Sequence, residues 1–279
     1  MNTETIRLFQ RELRAYYDDH GRHDMPWRQP EADSSFDPYK ILVSELMLQQ
    51  TQVPRVTPKY LAFIHRFPSV KSLADATLQD VLEMWSGLGY NRRAKYLWTA
   101  AHMIIRDYEL VFPATRDGLL QLPGVGPNTA GAIMAYAYNQ PAVYVETNIR
   151  TVIIHHFFPN EVAVPEAAIR DIVTEIVADI DGDTYMSPRE FYWALMDYGA
   201  YLKQSVGNLN QASASYSRQS RFEGSRRQLR GRVIRMLTAG PQSSADIMAA
   251  MPDARTKSVL TDLQTEGMIA YHANLYRIA

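Results

Sequence analysis

LPGVGPNTAGA, residues 122–132, is the stretch of the sequence that decides the fold. Its glycines Gly124 and Gly126 allow a tight turn that exposes backbone N–H groups. Pro127 suits the first position of a following helix, so these N–H groups lie at a helix N-terminus. Such an end binds anions, and a nucleic-acid phosphate is one of them. The segment therefore predicts two helices joined by a phosphate-holding hairpin, although a G-x-G sequence alone also fits an ordinary interhelical turn.

On both sides of this hairpin, the chain up to about residue 202 is predicted to be helical. Apolar residues recur at spacings of three and four, and Gly or Pro marks the turns between these segments. Asp37 suits a helix N-cap because Pro38 follows it. The fold class is therefore all-α. The predicted helices cover residues 5–17, 38–50, 58–67, 72–76, 78–86, 92–108, 116–121, 127–138, 148–158, 165–178 and 188–202.

The last part of the chain has a different pattern. Residues 203–225 are rich in Ser, Gln and Arg, which is typical of a loop or linker. Residues 226–279 predict three short helices (226–237, 244–251 and 254–266) and a hairpin (268–271 and 275–278) that turns at Ala273–Asn274. This order is typical of a small winged-helix domain, which binds DNA or contacts other proteins. The interpretation gives three regions: 1–202, 203–225 and 226–279.

Arginines favour DNA over protein as the partner of this C-terminal region. Between Arg218 and Arg235 lie seven arginines against one acid, Glu223. A basic block on a near-neutral chain can bind phosphates, and a solvated linker is the alternative.

Composition excludes several classes of protein. The 279 residues have a net charge of −1 and are 46% hydrophobic, as in a globular protein. No apolar run of about 18 residues could span a membrane, and the N-terminus lacks a secretory pattern. Because the chain contains no cysteine, disulfides, thiolate zinc sites and thiolate-held iron–sulfur clusters are excluded. We expect a monomer that is cytoplasmic or associated with the nucleoid.

Five further motifs lie along the chain in a recognisable order. Together with the hairpin they resemble the helix-hairpin-helix base-excision DNA glycosylases, and in particular the MutY-type adenine glycosylases. The resemblance covers roughly residues 10–202 and implies two helical lobes, one of about 30–135 and one of 1–29 plus 136–202. The motifs are PWR (26–28), DPYK (37–40), SELMLQQTQV (44–53), WSGLGY (85–90) and DYGA (197–200).

Glu45 is the first candidate for chemistry. It shares a helix stripe with Ile41, Leu42 and Gln49, so we expect it to face the interior. A desolvated carboxyl has a raised pKa and can hold a proton near neutral pH. The resemblance implies the same role, protonation of the departing purine, while an exposed helical glutamate is the alternative.

Glu146 is the second candidate carboxyl. It follows the extended residues 142–145 and precedes a helix beginning near Asn148, whose N-terminus would keep it ionised. That suits stabilisation of a cationic sugar, although Glu146 stands where the family carries aspartate and could be a cap alone. By resemblance, the predicted catalytic residues are Glu45, Glu146, Asn128 and Asn148. Asn128 occupies the position of the strand-cutting lysine, so a glycosylase without lyase activity is expected.

The resemblance also implies the DNA contacts. Gln50 and Tyr90 would fill the hole left by a flipped base. Trp193 stands where the family has Glu or Gln. The predicted substrate pocket contains Trp27, Arg28, Leu46 and Trp193. The predicted DNA-binding residues are Gln49, Gln50, Tyr90, Asn91, Arg92, Arg93, Gly124, Val125, Gly126, Thr129, Arg226, Arg227 and Arg230.

Two departures from the family concern function. The cluster cysteines are absent, and a predicted winged helix stands in place of the family's domain resembling a nucleotide hydrolase. No cofactor is expected except a monovalent cation at the hairpin, residues 122–125, which the resemblance implies. The expected partner is duplex DNA with a mispaired adenine opposite 8-oxoguanine or guanine. A glycosylase for thymine or uracil opposite guanine and a non-catalytic DNA-binding protein are the alternatives.

Overall fold

The computed structural model describes residues 3–180, 186–217 and 221–279. These residues are mostly helical, which confirms the predicted fold class. They form fourteen α-helices, two 3-10 helices (Pro26–Arg28 and Leu209–Ala212) and three short strands. The helices are α1 (Thr3–His20), α2 (Pro38–Leu48), α3 (Val53–Arg66), α4 (Val70–Ala74), α5 (Leu78–Trp85), α6 (Arg92–Tyr108), α7 (Arg116–Gln121), α8 (Pro127–Tyr136), α9 (Thr147–Phe157), α10 (Glu166–Ala178), α11 (Pro188–Ser205), α12 (Arg226–Thr238), α13 (Ser244–Ala250) and α14 (Thr256–Thr265).

Local capping explains most helix starts. The Asp37 carboxylate accepts a hydrogen bond from the Tyr39 backbone N–H at 2.8 Å, as its N-cap role requires. The prediction for α3 was wrong at its start, since the helix begins at Val53 rather than at residue 58. Pro54 stands in the first turn of α3, where a missing N–H costs little, and Pro58 lies inside the helix.

The chain divides into two compact units. Unit 1 comprises Met1–Leu42, Pro113–Gln121 and Val125–Arg218. Its core includes α1, α9 and α11, and the last two helices pack with their backbones close together. A Cβ built on Gly199 would lie 2.4 Å from the Asn148 carbonyl oxygen, so only glycine fits there.

Unit 2 comprises Val43–Phe112, Leu122–Gly124 and Gln219–Ala279. It contains α3 to α6 and the three helices α12 to α14. Strands β1 (Gln242–Ser243), β2 (Ile269–His272) and β3 (Leu275–Ile278) form an antiparallel sheet in the order β1-β3-β2. The predicted domain boundaries stay predictions, because a compact unit can hold more than one domain.

The C-terminal elements agree closely with the sequence pattern. The three helices and the hairpin are present, and β1 is an additional strand that the pattern did not predict. Ala273 and Asn274 have φ values of 50° and 62°, as a two-residue hairpin turn requires. Within unit 2, the Gln79 side chain on α5 donates a hydrogen bond to the Thr238 carbonyl at the end of α12.

Candidate active site and nucleic-acid interface

Glu45 lies on α2 among buried neighbours. Ser44, Leu46 and Met47 are almost completely buried, whereas Glu45 itself is half-buried. The carboxyl group is therefore partly withdrawn from water but still accessible. Leu46, which is predicted to line a substrate pocket, is fully buried, and its pocket role stays a prediction.

The side chain of Arg93 is buried, and its guanidinium makes internal hydrogen bonds. Its predicted contact with DNA stays a prediction. Nη1 donates to the carbonyls of Leu46, Met47 and Gln49, and Nη2 donates to those of Leu88 and Gly89. Desolvation lowers the pKa of Arg93 to about 10. The arginine thus ties the end of α2 to the turn that precedes α6.

Gln50 and Tyr90 are the two predicted wedge residues, which would fill the hole left by a flipped base. They lie at the ends of the two segments that Arg93 joins. Gln50 and Tyr90 have φ values of 56° and 48°, in the left-handed region that non-glycine residues seldom adopt. Gln50 is exposed and Tyr90 half-buried, while Gln49 beside them is half-buried. Asn91 occupies the N-cap position of α6. A strained backbone that presents accessible side chains is typical of loops that contact a ligand.

The hairpin between α7 and α8 has the predicted backbone. Gly124 has a φ of 82°, and a Cβ built there would lie 2.8 Å from the Tyr96 Cβ, so glycine is required. Gly126 faces open space, and no described side chain caps the start of α8. The N–H groups at this helix end are therefore placed to meet an anion. Val125 and Thr129 are buried, and their predicted contacts with DNA stay predictions.

Glu146 is the N-cap of α9 in unit 1. One of its oxygens, Oε1, accepts hydrogen bonds from the backbone N–H groups of Asn148 (2.7 Å) and Ile149 (3.2 Å). Burial raises the pKa of Glu146, and these hydrogen bonds oppose the rise without cancelling it. Desolvation therefore has a larger effect on the pKa of Glu146 than the hydrogen bonds at the helix end, and its predicted role as an ionised carboxylate stays a prediction.

Asn128 and Asn148 support the same carboxyl segment. The Asn128 side-chain amide donates a 2.7 Å hydrogen bond to the Val145 carbonyl, directly before Glu146. Asn148 contributes its backbone N–H to Glu146, and its side-chain Nδ2 lies 4.0 Å from the Met196 sulfur. Structurally, both asparagines position the Glu146 turn.

The predicted pocket residues of unit 1 form a buried cluster instead. Trp27, Arg28 and Trp193 are all buried. The Arg28 guanidinium donates to both oxygens of Asp197, at 2.8 and 2.9 Å, and lies 5.3 Å from the Trp193 ring centre. The predicted place of Arg28 in a substrate pocket stays a prediction. Sequence analysis missed Asp197 as its partner, although both residues belong to quoted motifs.

The arginines of α12 are also partly paired. Arg226 contacts Asp262 at 2.5 Å, and Arg230 contacts Glu266 at 2.5 Å. Arg92 forms an ion pair with the same Glu266. Both acids were missed, although Asp262 on α14 and Glu266 at its C-cap have the same four-residue spacing as Arg226 and Arg230. Arg218 of the basic block lies outside the described residues.

Within residues 3–180, 186–217 and 221–279, no group of three or more His, Asp or Glu side chains is placed to hold a metal ion. No helix in the described part of the chain has the length and apolar character needed to cross a membrane.

Residues 43–176 match the model of the HhH-GPD superfamily of base excision DNA repair proteins. The matched span includes Glu45, the hairpin and Glu146. The chain belongs to this superfamily, which confirms the resemblance that the motifs predicted.

Among individual proteins, several relatives are adenine DNA glycosylases. The chain is 33% identical over 282 residues to that of Mycolicibacterium smegmatis, covering 94% of this chain and 93% of the relative. It is 43% identical over 141 residues to that of Mycobacterium tuberculosis, covering 50% of this chain and 45% of the relative. The chain thus spans almost all of one relative and about half of others.

Two solved structures share the fold. A thermostable thymine-DNA glycosylase matches with a TM-score of 0.58 and 25% identity, covering 71% of this chain and 87% of that chain. A non-covalent endonuclease III–DNA complex matches with a TM-score of 0.56 and 17% identity, covering 72% and 87%.

Proposed function

We propose that this protein is a monofunctional adenine DNA glycosylase that acts on mispaired adenine in duplex DNA. The base opposite this adenine is 8-oxoguanine or guanine. The observation that carries the proposal is the 33% identity to an adenine DNA glycosylase over nearly the whole of both chains. The half-buried Glu45 supplies the chemistry that such an enzyme needs.

The proposed reaction hydrolyses the N-glycosidic bond. Glu45 donates a proton to the base, so the C–N bond breaks, adenine departs neutral and the sugar develops oxocarbenium character. Glu146 in its ionised form stabilises that positive charge. A water molecule then adds to the sugar carbon and its released proton returns to Glu45, which leaves an abasic site. Because burial raises the pKa of Glu146, its ionised fraction decreases at acidic pH sooner than that of an exposed glutamate.

The proposed enzyme does not cleave the DNA strand. A Schiff-base lyase needs an amine nucleophile, whereas Asn128 carries an amide that is engaged with the Val145 carbonyl. The product strand is expected to stay intact until alkali or heat is applied, and borohydride is expected to trap no covalent complex. Efficient trapping by the native protein would contradict this part.

The main test is Glu45→Gln in single-turnover excision. Loss of the general acid is expected to slow adenine release about 10²- to 10⁴-fold while DNA binding persists. Glu83→Gln is the matched control, since Glu83 is an exposed glutamate on α5 of the same unit. A Glu45→Gln rate above half that of the wild type would remove Glu45 from this role.

Thymine opposite guanine is the second candidate substrate, favoured by the similarity to a thymine-DNA glycosylase. Four duplexes separate the possibilities: adenine opposite 8-oxoguanine, adenine opposite guanine, thymine opposite guanine and uracil opposite guanine. Fastest release of adenine supports the proposal. Faster release of a pyrimidine supports the second candidate, and no release from any duplex supports a binding protein without activity.

A monovalent cation at the hairpin, residues 122–125, stays part of the proposal. Backbone carbonyl oxygens are ligands that suit such an ion. The expected result is tighter duplex binding in potassium chloride than in tetramethylammonium chloride at equal ionic strength. Equal affinity in the two salts would contradict a cation role.

A further inference from the structure

A groove of about 1110 Å³ lies entirely within unit 2. One wall is the turn and first part of α6, residues 86–96, and the other wall is α12 with part of α14. Leu88, Ile234 and Leu263 give it an apolar floor. Its volume suffices for a small organic ligand, since ordinary ligand pockets measure about 300–1,000 Å³.

Exposed aromatic side chains stand along this groove. Tyr96 is 36% exposed and Phe222 is 53% exposed, and both line it. Tyr90, one of the two proposed wedge residues, lines it as well. Exposed aromatic rings in a groove are the usual platforms on which nucleic-acid bases stack.

The charge of the groove is positive where it meets solvent. Arg55, Arg232 and Arg235 are exposed and line it. Its two acids, Asp262 and Glu266, are engaged by other arginines, as described above. Arginines interleaved with aromatic rings match a nucleotide, which presents a phosphate and a flat base.

The two walls are joined by polar contacts. Arg227 of α12 donates a hydrogen bond to the Tyr90 hydroxyl, and its guanidinium lies 5.0 Å from the Tyr90 ring centre. The Lys95 ammonium donates to the Glu266 carbonyl, and the Glu266 carboxylate joins Arg92 to Arg230. The chain's own contacts therefore hold the two walls of the groove in place, which reduces the entropy lost on binding.

We propose that this groove is a second nucleotide-binding site, which holds one unstacked nucleotide of the DNA beside the wedge. The base stacks on Phe222 and Tyr96, and the phosphate lies against Arg232 and Arg235. The choice of DNA as ligand rests on the proposed function. The site is additional to the position of Glu45, and half of it is supplied by the C-terminal region.

The test uses the full-length protein and labelled pentathymidylate in fluorescence anisotropy. Phe222→Ala is expected to weaken binding about tenfold, and Phe222→Trp to retain it. Arg235→Gln is expected to reduce the log–log salt slope by about 0.7, the value for one contact with a single strand. Tyr271→Ala and Arg277→Gln are matched controls, because both residues are exposed on unit 2 and outside the groove.

Adenine release by the same proteins separates this inference from the proposed function. If the wild type releases adenine and the groove variants bind like their controls, the groove site is wrong and the enzyme assignment stands. If the wild type releases no base but the groove variants bind pentathymidylate more weakly, the enzyme assignment fails and the site stands. Thermal unfolding of each variant verifies the fold, and loss of binding without unfolding supports the site.

Discussion

Each compact unit contains a carboxylate held by two arginines, and the two clusters differ in burial. In unit 1, Asp197 accepts from Arg22 and Arg28. In unit 2, Glu266 accepts from Arg92 and Arg230. The Asp197 and Arg28 side chains are 1% and 4% exposed, whereas Arg92 is 51% exposed. The same arginine–carboxylate pairing therefore lies in the core of unit 1 and at a partly exposed position in unit 2.

The pKa values of the two carboxyls follow from the same balance. Burial opposes ionisation of both Asp197 and Glu266, and the arginine hydrogen bonds outweigh it, so both pKa values lie below the usual range. Removing a partner leaves an uncompensated buried charge in unit 1 but a charge that water can reach in unit 2. A substitution in the unit 1 cluster should therefore lower the free energy of unfolding more than a substitution in the unit 2 cluster.

Asp197→Asn is expected to have the largest effect on stability. It leaves the Arg28 guanidinium buried without an opposite charge, which costs about 3–5 kcal/mol. Urea unfolding monitored by circular dichroism measures the change in the free energy of unfolding. A loss below about 1 kcal/mol would mean that the two clusters are energetically alike.

Arg93→Met sharpens the comparison, because Arg93 is a buried arginine held by carbonyls and not by a carboxylate. Removing it leaves several buried carbonyls unsatisfied, so a loss of about 3 kcal/mol is expected. The same urea experiment measures it. An unchanged midpoint would show that water replaces the guanidinium without penalty.

Glu266→Gln is expected to cost about 1 kcal/mol at neutral pH, since the cluster is partly exposed. The folded-state pKa of Glu266 lies below its usual value of 4.5. Its contribution is therefore complete above pH 4.5 and lost as the pH falls through the lower folded value. Unfolding free energies of both proteins at pH 7 and below pH 4 should converge in acid, and a constant difference would contradict the linkage.

Asp262→Asn should have the smallest effect. The side chains of Asp262 and Arg226 are 45% and 40% exposed, so the loss of stability should be small and should shrink at high salt. Thermal unfolding at low and high salt measures it. A large, salt-independent loss would show that this pair resembles the buried cluster of unit 1.

Helix positions could be predicted well where a local signal exists. The predicted spans 92–108 and 116–121 match α6 and α7, and the predicted turn at Ala273–Asn274 is observed. The predicted start of α3 was wrong because a proline such as Pro58 is typical of the first turn of a helix. In the structure Pro54 occupies that first turn, and Pro58 lies inside the helix.

Side-chain roles at the candidate site were less predictable. Motifs identified Arg28, Arg93 and Leu46 as important positions but not as buried ones. Burial depends on distant partners such as Asp197, 169 residues from Arg28 along the chain, and helical periodicity carries no information about them. Glu146 likewise reads as a capped, ionised acid until its desolvation is known.

The Arg93 guanidinium also has a mechanical consequence. It is planar and stiff, and it donates to the carbonyls of Leu46 and Met47, which follow Glu45 in the chain, and to those of Leu88 and Gly89, which precede Tyr90. Arg93 therefore joins the segment that carries Glu45 to the segment that carries Tyr90 through direct hydrogen bonds. A displacement of the Tyr90 turn should for that reason also displace the last turn of α2.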